Sequence, residues 1–286
     1  MGQTLKLTNS MHLECKSLTA SALPNTQYTV LSANAGTDIR IYSLAISTTD
    51  ANLQNIRLFL DDGTSSYVAS YFSLPANSGN NISTGTFDAF GYTQALPIFG
   101  KRMDTMSVCY FNLPKGWSIK ALYTGTQLSG TEVMTFISHG EKYGGNTHIF
   151  TSKEFQQTVV LTNSTGSTET TLLSASLYDR RIYSISATST DVTARTLAIG
   201  LKNESNNYLV YTASILASSG NLTSVRAYDI FDDPNGFSGA VFMKTYETDG
   251  GFYFNLPAGW SITGTFATAP AIGSTITIKT LGDTYE

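Results

Sequence analysis

One ten-residue phrase occurs twice in this chain, and it limits the fold more than any other feature. Residues 110–119 read Tyr110-Phe111-Asn112-Leu113-Pro114-Lys115-Gly116-Trp117-Ser118-Ile119. Residues 253–262 read Tyr253-Phe254-Asn255-Leu256-Pro257-Ala258-Gly259-Trp260-Ser261-Ile262, so nine of ten positions agree. The offset of 143 residues is half of the 286, and the two phrases hold both tryptophans. Self-similarity at half the chain length means two copies of one fold rather than a solenoid of short units.

Other stretches repeat at nearly the same spacing. Arg40-Ile41-Tyr42-Ser43 returns as Arg181-Ile182-Tyr183-Ser184, and Ser78-Gly79-Asn80 as Ser219-Gly220-Asn221, both at an offset of 141. Gln3–Ser10 matches Gln157–Ser164 at 154, so an insertion of about 12 residues is expected within Met11–Tyr28 of the first copy. The glycines of Ser138–Asn146 suit a linker, which places one domain at 1–146 and the other at 147–286. Half of the chain is long enough to bury a core without disulfides or metal.

Between these anchors the pattern has a period of two. Ile56, Leu58 and Leu60 fall on one face, as do Leu197, Ile199 and Leu201. Tyr42, Leu44 and Ile46 are expected opposite Ser43, Ala45 and Ser47, with Tyr183 and Ile185 opposite Ser184 and Ser186. Such alternation marks half-buried strands. No stretch keeps a helical period with caps over ten residues. The first copy reads as strands near 3–9, 27–32, 39–47, 55–60, 66–73, 105–113, 117–124 and 132–138, with 81–100 irregular. The second copy runs in parallel and closes with Ser274–Leu281. Eight strands per copy fit an all-β chain of two tandem jelly-roll-like β-sandwich domains related by internal duplication, with an immunoglobulin-like sandwich as the alternative.

The repeated phrase explains itself locally. Tyr-Phe-Asn-Leu ends a strand, and Leu-Pro-x-Gly is expected as a type I turn with Pro second and Gly fourth. The varying residue, Lys115 or Ala258, then sits where the turn leaves the side chain free. Trp117, Ile119 and Ala121 share a face of the next strand, as do Trp260, Ile262 and Gly264. Each indole is expected to anchor its own core, the competing role being a platform on which a sugar or partner stacks.

Composition narrows the function classes. Charged residues make up only 13%, and net charge is −4, which argues against a broad nucleic-acid footprint. Weak charge also offers little repulsion between copies, so self-association is an expectation. No apolar run approaches a membrane span, and no long apolar core follows Met1, so neither a membrane anchor nor a secretory signal is expected. Cys15 and Cys109 lie in one copy without counterparts and read as free thiols.

The chemistry-bearing residues do not assemble into a motif. His12, His139 and His148 are unrepeated, lack acidic or thiol partners at ligand spacing, and read as loop residues. Asp61-Asp62-Gly63 and Asp232–Gly236 lack the ligand order of a calcium loop and read as acidic turns. Glu132 and Glu141 make a poor acid pair for glycoside cleavage, and no nucleophile elbow or phosphate loop is present. The expectation is a non-enzymatic protein with no catalytic, metal or cofactor residues.

A frame of Tyr28-Thr29-Val30-Leu31, then Arg40–Ile46, Leu74-Pro75-Ala76-Asn77-Ser78-Gly79 and Leu113–Ile119, repeated in the second half, resembles small jelly-roll virion proteins of tailed bacteriophages. These are capsid decoration (auxiliary, or cement) proteins and head-fibre or neck components. The resemblance implies a structural protein of the virion, made in the host cytoplasm, with the major capsid protein or other virion proteins as partners. Decoration of the capsid lattice is its first implication. A tail or neck component, or a pair of carbohydrate-binding modules for host attachment, is the alternative. The second copy departs at Ile215-Leu216-Ala217-Ser218-Ser219, which lacks the counterpart of Pro75, so the two copies are not expected to share one surface contact.

Overall fold

The structure, a computed structural model, describes residues 10–33, 37–80, 84–90, 102–103, 109–143, 152–165, 167–204, 206–221, 225–230 and 253–285. The first half holds β1 (Ser10–Leu18), β2 (Tyr28–Ser32), β3 (Asp38–Thr48), β4 (Gln54–Asp61) and β5 (Ser66–Leu74). It continues with β6 (Phe87–Asp88), β7 (Arg102–Met103), β8 (Cys109–Leu113), β9 (Ser118–Thr124) and β10 (Met134–Tyr143). The second half holds β11 (Ser152–Thr162), β12 (Thr170–Leu173), β13 (Asp179–Ser189), β14 (Arg195–Asn203) and β15 (Asn206–Ile215). It closes with β16 (Tyr228–Asp229), β17 (Phe254–Leu256), β18 (Trp260–Phe266) and β19 (Thr275–Tyr285).

Strand order identifies the fold. In the first half the sheets run β1-β10-β3-β8 and β2-β9-β4-β5. In the second they run β11-β19-β13, with β17 on β13, and β12-β18-β14-β15. Setting aside the two-residue strands β6, β7 and β16, the eight strands of each half pair as 1-8-3-6 and 2-7-4-5. That is the jelly-roll order, produced when an antiparallel hairpin is rolled into two facing sheets. The chain is therefore all-β, with two tandem jelly-roll sandwiches. Each closes on alternating side chains: Ile56, Leu58, Ile119, Ala121 and Phe136 fill the first, and Leu197, Ile199, Leu201, Ile262 and Ile278 the second.

The register corrects four local expectations. Leu18 pairs with Met134 and Leu161 with Ile276, so the opening strands are related by an offset of 143. The expected insertion in Met11–Tyr28 is absent. Much of that segment is β1 itself, and the match at 154 was a chance echo among Thr, Asn and Ser. The alternation of β3 breaks at Tyr42, because His139 faces Ser43 while Gly140 faces Ile41. Tyr42 is the extra residue of a β-bulge, and Ile41 and Leu44 both reach the core. Tyr183 does the same between Ile182 and Ser184 in β13.

Ser138–Tyr143 is not linker but the end of β10, a strand paired on both sides. The expected boundary at residue 146 lies outside the described residues. In the repeated turn, Trp117 N–H donates to the Pro114 carbonyl at 3.0 Å, and Trp260 N–H to Pro257 at 3.2 Å. Pro therefore stands first, not second. Gly116 and Gly259 stand third with φ of 79° and 82°, the positive value a type II turn demands. The freed amides of Lys115 and Ala258 donate to Asp38 (2.7 Å) and Asp179 (2.9 Å), so the phrase clamps the start of β3 or β13 in each copy.

Candidate functional site

Among the described residues, side chains of the first sandwich join the core cluster of the second at the joint between the sandwiches. On the outer face of the β1-β10-β3 sheet, register aligns three cross-strand rows: Leu13–His139–Ser43, Cys15–Ile137–Ala45 and Ser17–Thr135–Ser47. Leu13, Ala45 and Ile137 are buried in the same apolar cluster as the core of the second sandwich, with Cys15 packed against it. Cys15 is a free thiol, as expected, although it sits in a strand. The partner surface is the β15 edge together with Phe254 of β17.

Hydrogen bonds fix this joint. Ser47 Oγ donates to the Leu209 carbonyl at 2.7 Å, and Thr86 Oγ1 to the Val210 carbonyl at 2.6 Å. Thr212 Oγ1 donates back to the Gly79 carbonyl at 3.2 Å. A Cβ on Gly79 would stand 3.1 Å from the Val210 carbonyl oxygen and 2.7 Å from Thr86 Oγ1, so glycine permits the close approach. Edge strands expose unpaired backbone groups, and here the first sandwich supplies hydroxyls to two carbonyls of β15. A crevice of about 120 Å³, lined by Ser47, Thr49, Thr135, Asn207 and Leu209 among others, marks the rim.

Two of the three histidines lie in strands rather than in loops, and one of them, His139, faces the joint. His139 lies in β10 with no exposed surface, its ring 5.5 Å from Phe254 and 6.2 Å from Tyr42. Neither ring nitrogen has a hydrogen-bond partner, and burial drives its pKa down to about 4. His12 lies in β1, its Nε2 3.0 Å from Ser138 Oγ, and burial followed by the nearby Lys142 charge drives its pKa to about 3. Both are neutral at ordinary pH, and neither has a carboxylate or thiol placed to complete a metal site. His148 lies outside the described residues. Among the described residues no group of three or more His, Cys, Asp or Glu side chains could hold a metal ion.

The acidic candidates are occupied with structure. Asp61 accepts from Lys120 Nζ at 2.6 Å, from the Ser66 hydroxyl and from the Gly63 amide, and the Lys120 bond holds its carboxyl below the usual range. Asp62 accepts from the amides of Thr64 and Ser65 at 2.8 and 2.7 Å. These bonds make the β4–β5 turn, as the sequence suggested; residues 232–236 lie outside the described set. Glu132 accepts from the amide and hydroxyl of Ser129. Glu141 sits in β10 beside Tyr42, whose hydroxyl is pushed up by burial and by that carboxylate.

The bulges repeat a side-chain cluster. In the second copy, Tyr183 donates to Asp283 at 2.7 Å, and buried Arg181 stacks over Tyr253 at 4.1 Å and Tyr285 at 5.1 Å. A guanidinium over tyrosine rings is held by the ring quadrupole and keeps its charge. In the first copy a cleft of about 180 Å³ opens beside Asp38, Arg40, Asn112 and Pro114. It is smaller than a usual organic-ligand pocket of roughly 300 Å³ or more. Trp260 is buried, and Trp117 is half-buried against its core. Both act as anchors, and neither forms an open stacking platform.

The joint is a surface that strand-by-strand reading missed. Its signal is nevertheless in the duplication. Where the first copy places Leu13, Cys15, Ala45 and Ile137 on outward positions, the second has Gln156, Thr158, Ser186 and Lys279. Apolar residues at outward positions that are polar in the other copy mark a covered face.

No family model matches this chain, and no curated protein matches it. Among solved structures it aligns with the STIV MCP, from Sulfolobus Turreted Icosahedral Virus, at 9% identity and a TM-score of 0.25, covering 95% of this chain and 96% of that one. It aligns with the PBSX exported protein XepA at 10% identity and a TM-score of 0.22, covering 99% and 86%. It aligns with the major capsid protein P2 from Bacteriophage PM2 at 11% identity and a TM-score of 0.21, covering 96% and 98%. Superpositions this loose say nothing of function, and the jelly-roll assignment rests on the strand order of the chain itself.

Proposed function

We propose that this chain is a non-enzymatic structural protein of a virion, in the first place a capsid decoration protein docked on the major capsid lattice. The proposal includes the division into domains at 1–146 and 147–286. The observation that carries it is the joint. Two jelly rolls, a sandwich type used by capsids and lectins alike, are locked by a buried apolar patch and three hydrogen bonds. Such a joint suits a rigid block that bears load on a lattice. Among the described residues, Asp61, Asp62 and Glu132 are tied into turns and His139 faces the joint. The carbohydrate-binding alternative wanted open indole platforms, and both indoles pack inward.

The test is a protein inventory of purified particles, with copy number by quantitative mass spectrometry and position by cryo-electron microscopy. A decoration protein is present at a stoichiometry set by the lattice, on the outer shell. Particles that are complete and infectious without the chain on their shell or tail sink the proposal. Glycan-array binding that depends on described surface residues would favour the attachment alternative instead.

A further inference from the structure

Duplication means that every surface used in the internal joint exists twice in the chain. The joint consumes the outer face of β1-β10-β3 from the first sandwich and the β15 edge from the second. It leaves unused the β5 edge of the first sandwich and the outer face of β11-β19-β13 of the second. We propose that a second copy of this chain docks its β11-β19-β13 face on the β5 edge, repeating the internal joint between molecules in a head-to-tail manner. This goes beyond the virion reading and does not depend on it.

The β5 edge is built like the β15 edge. In both, one residue is skipped in pairing with the inner neighbour: Ala69 between Val68 and Ser70, and Val210 between Leu209 and Tyr211. Val68 and Ala69 therefore stand where Leu209 and Val210 offer their carbonyls to the joint. In β15 those groups are covered. In β5, Tyr67, Val68 and Tyr71 are 52%, 55% and 48% exposed. The strand Ser66–Leu74 has no lysine, no proline and no other charge, the residues that usually blunt an open edge. Arg57 lies 5.3 Å from the centre of the Tyr71 ring and the Tyr67 hydroxyl donates to Asp62 at 3.3 Å, so charges flank the edge while Tyr67 and Val68 stay about half exposed. A largely apolar edge that mirrors an occupied one has the internal joint as its template.

The facing surface keeps one of the joint's three hydrogen-bonding parts, since Ala227 stands at the place of Thr86 and Tyr71 of β5 at the place of Thr212. Register puts Val160–Thr277–Thr188 where the first copy has Ser17–Thr135–Ser47. Thr188 is exposed and carries a hydroxyl at the position of Ser47, the donor to Leu209. The Gly220 turn copies the Gly79 turn, with φ of 67° against 72°. Val160, 52% exposed, and Leu281 supply apolar surface. Gln156, Thr158 and Lys279 replace Leu13, Cys15 and Ile137, so the contact between molecules is wetter and weaker than the one within. A heterologous contact of this kind closes into rings or runs into filaments, according to the rotation it imposes.

Sedimentation velocity of the full chain across a wide concentration range tests this, using Val68→Asp and Thr188→Asp. Each change puts a carboxylate on one exposed surface only. The wild-type chain is expected to associate as concentration rises, and each variant alone to stay monomeric, with affinity lost by tenfold or more. The two variants mixed are expected to form a capped dimer, because each keeps the surface the other lacks. A wild-type chain monomeric to the highest soluble concentration overturns the proposal. Association of Thr188→Asp alone overturns it in favour of a two-fold pairing of β5 edges. A mixture that stays monomeric while the wild type associates overturns it as well, since association then uses other surfaces.

Discussion

The bulges make a quantitative prediction, because each is held by a glycine that has no conformational excuse for being one. Gly140 and Gly282 do not have positive φ, yet a Cβ on either would lie 2.0 Å from a carbonyl oxygen, that of Arg40 or of Arg181. The next neighbours of Gly140 are the Arg40 carbonyl carbon at 3.0 Å and Ile41 Cα at 3.1 Å, all backbone. No side chain can swing away, so Gly140→Ala must push β10 and β3 apart by about an ångström in the middle of a sheet.

Overpacking among adaptable side chains costs about 1–3 kcal/mol. With backbone on both sides the cost should reach or exceed the top of that range, about 3–5 kcal/mol. At roughly 2.1 cal/mol/K per residue, the 286 residues unfolding in one transition carry about 0.6 kcal/mol/K of entropy, so the midpoint should fall by about 5–8 °C. Gly259→Ala is the internal standard. Its φ is 82°, but nothing lies within 4 Å of the added Cβ. It should cost only the roughly 1–2 kcal/mol of a left-handed alanine. Calorimetry and urea denaturation of the two variants decide the matter. If Gly140→Ala costs no more than Gly259→Ala, the bulges yield, and the steric account of why glycine occupies both sites is wrong.

Other outcomes follow from the joint and the turns. His139 has its pKa lowered to about 4 by burial. Protons therefore favour the unfolded chain, and stability falls as pH drops from about 6.5 towards 4, by about 3 kcal/mol from this residue, with His12 adding its own share. His139→Phe should make that slope shallower in urea titrations at several pH values, leaving the share of His12, and leave stability at pH 8 unchanged or higher, having removed two unpartnered buried nitrogens. Ile137→Lys, which installs the second copy's residue in the joint, buries an unpaired ammonium and should open it, read as a larger radius of gyration by small-angle X-ray scattering. Ser47→Ala leaves the Leu209 carbonyl without its donor and should cost about 1–3 kcal/mol, seen as a splitting of one calorimetric transition into two. Asp179→Ala should cost about 0.5–1.5 kcal/mol by freeing the Ala258 amide, and Asp38→Ala the same in the first copy, both read by urea denaturation.

Much of the fold was legible because duplication supplied an alignment from one chain. Strands β2 to β5 and β9 lie where alternation put them, since Ile56, Leu58, Leu60 and Ile119 report directly on which face is inside. The failures share one cause. A period-two reading assumes uninterrupted pleating, and a bulge shifts the phase by one residue without changing composition. Tyr42 and Tyr183 therefore looked like core residues. Gly140 looked like linker because glycine for close backbone approach and glycine for flexibility are the same letter. The turn was assigned the wrong type because proline is compatible with more than one turn position, whereas the positive φ of Gly116 and Gly259 is a property of backbone alone.

The joint shows what a comparison of copies can reveal that neither copy can alone. Core positions of the two sandwiches stay apolar in both: Ile41 and Ile182, Leu44 and Ile185, Leu58 and Ile199. Outward positions should drift among polar residues, as Gln156, Thr158, Ser186 and Lys279 do. Leu13, Cys15, Ala45 and Ile137 break that rule in the first copy at positions that are polar in the second, and all four lie on the same three strands, facing the second sandwich. An exposed Ile137 would cost solubility, whereas a buried one contributes about 1.5–3 kcal/mol. After duplication, then, the first copy's sheet became a floor for the second, and the second copy's sheet kept a solvated face. The β5 edge did not follow. It retains Tyr67, Val68 and Tyr71 in the open although its counterpart in β15 is covered.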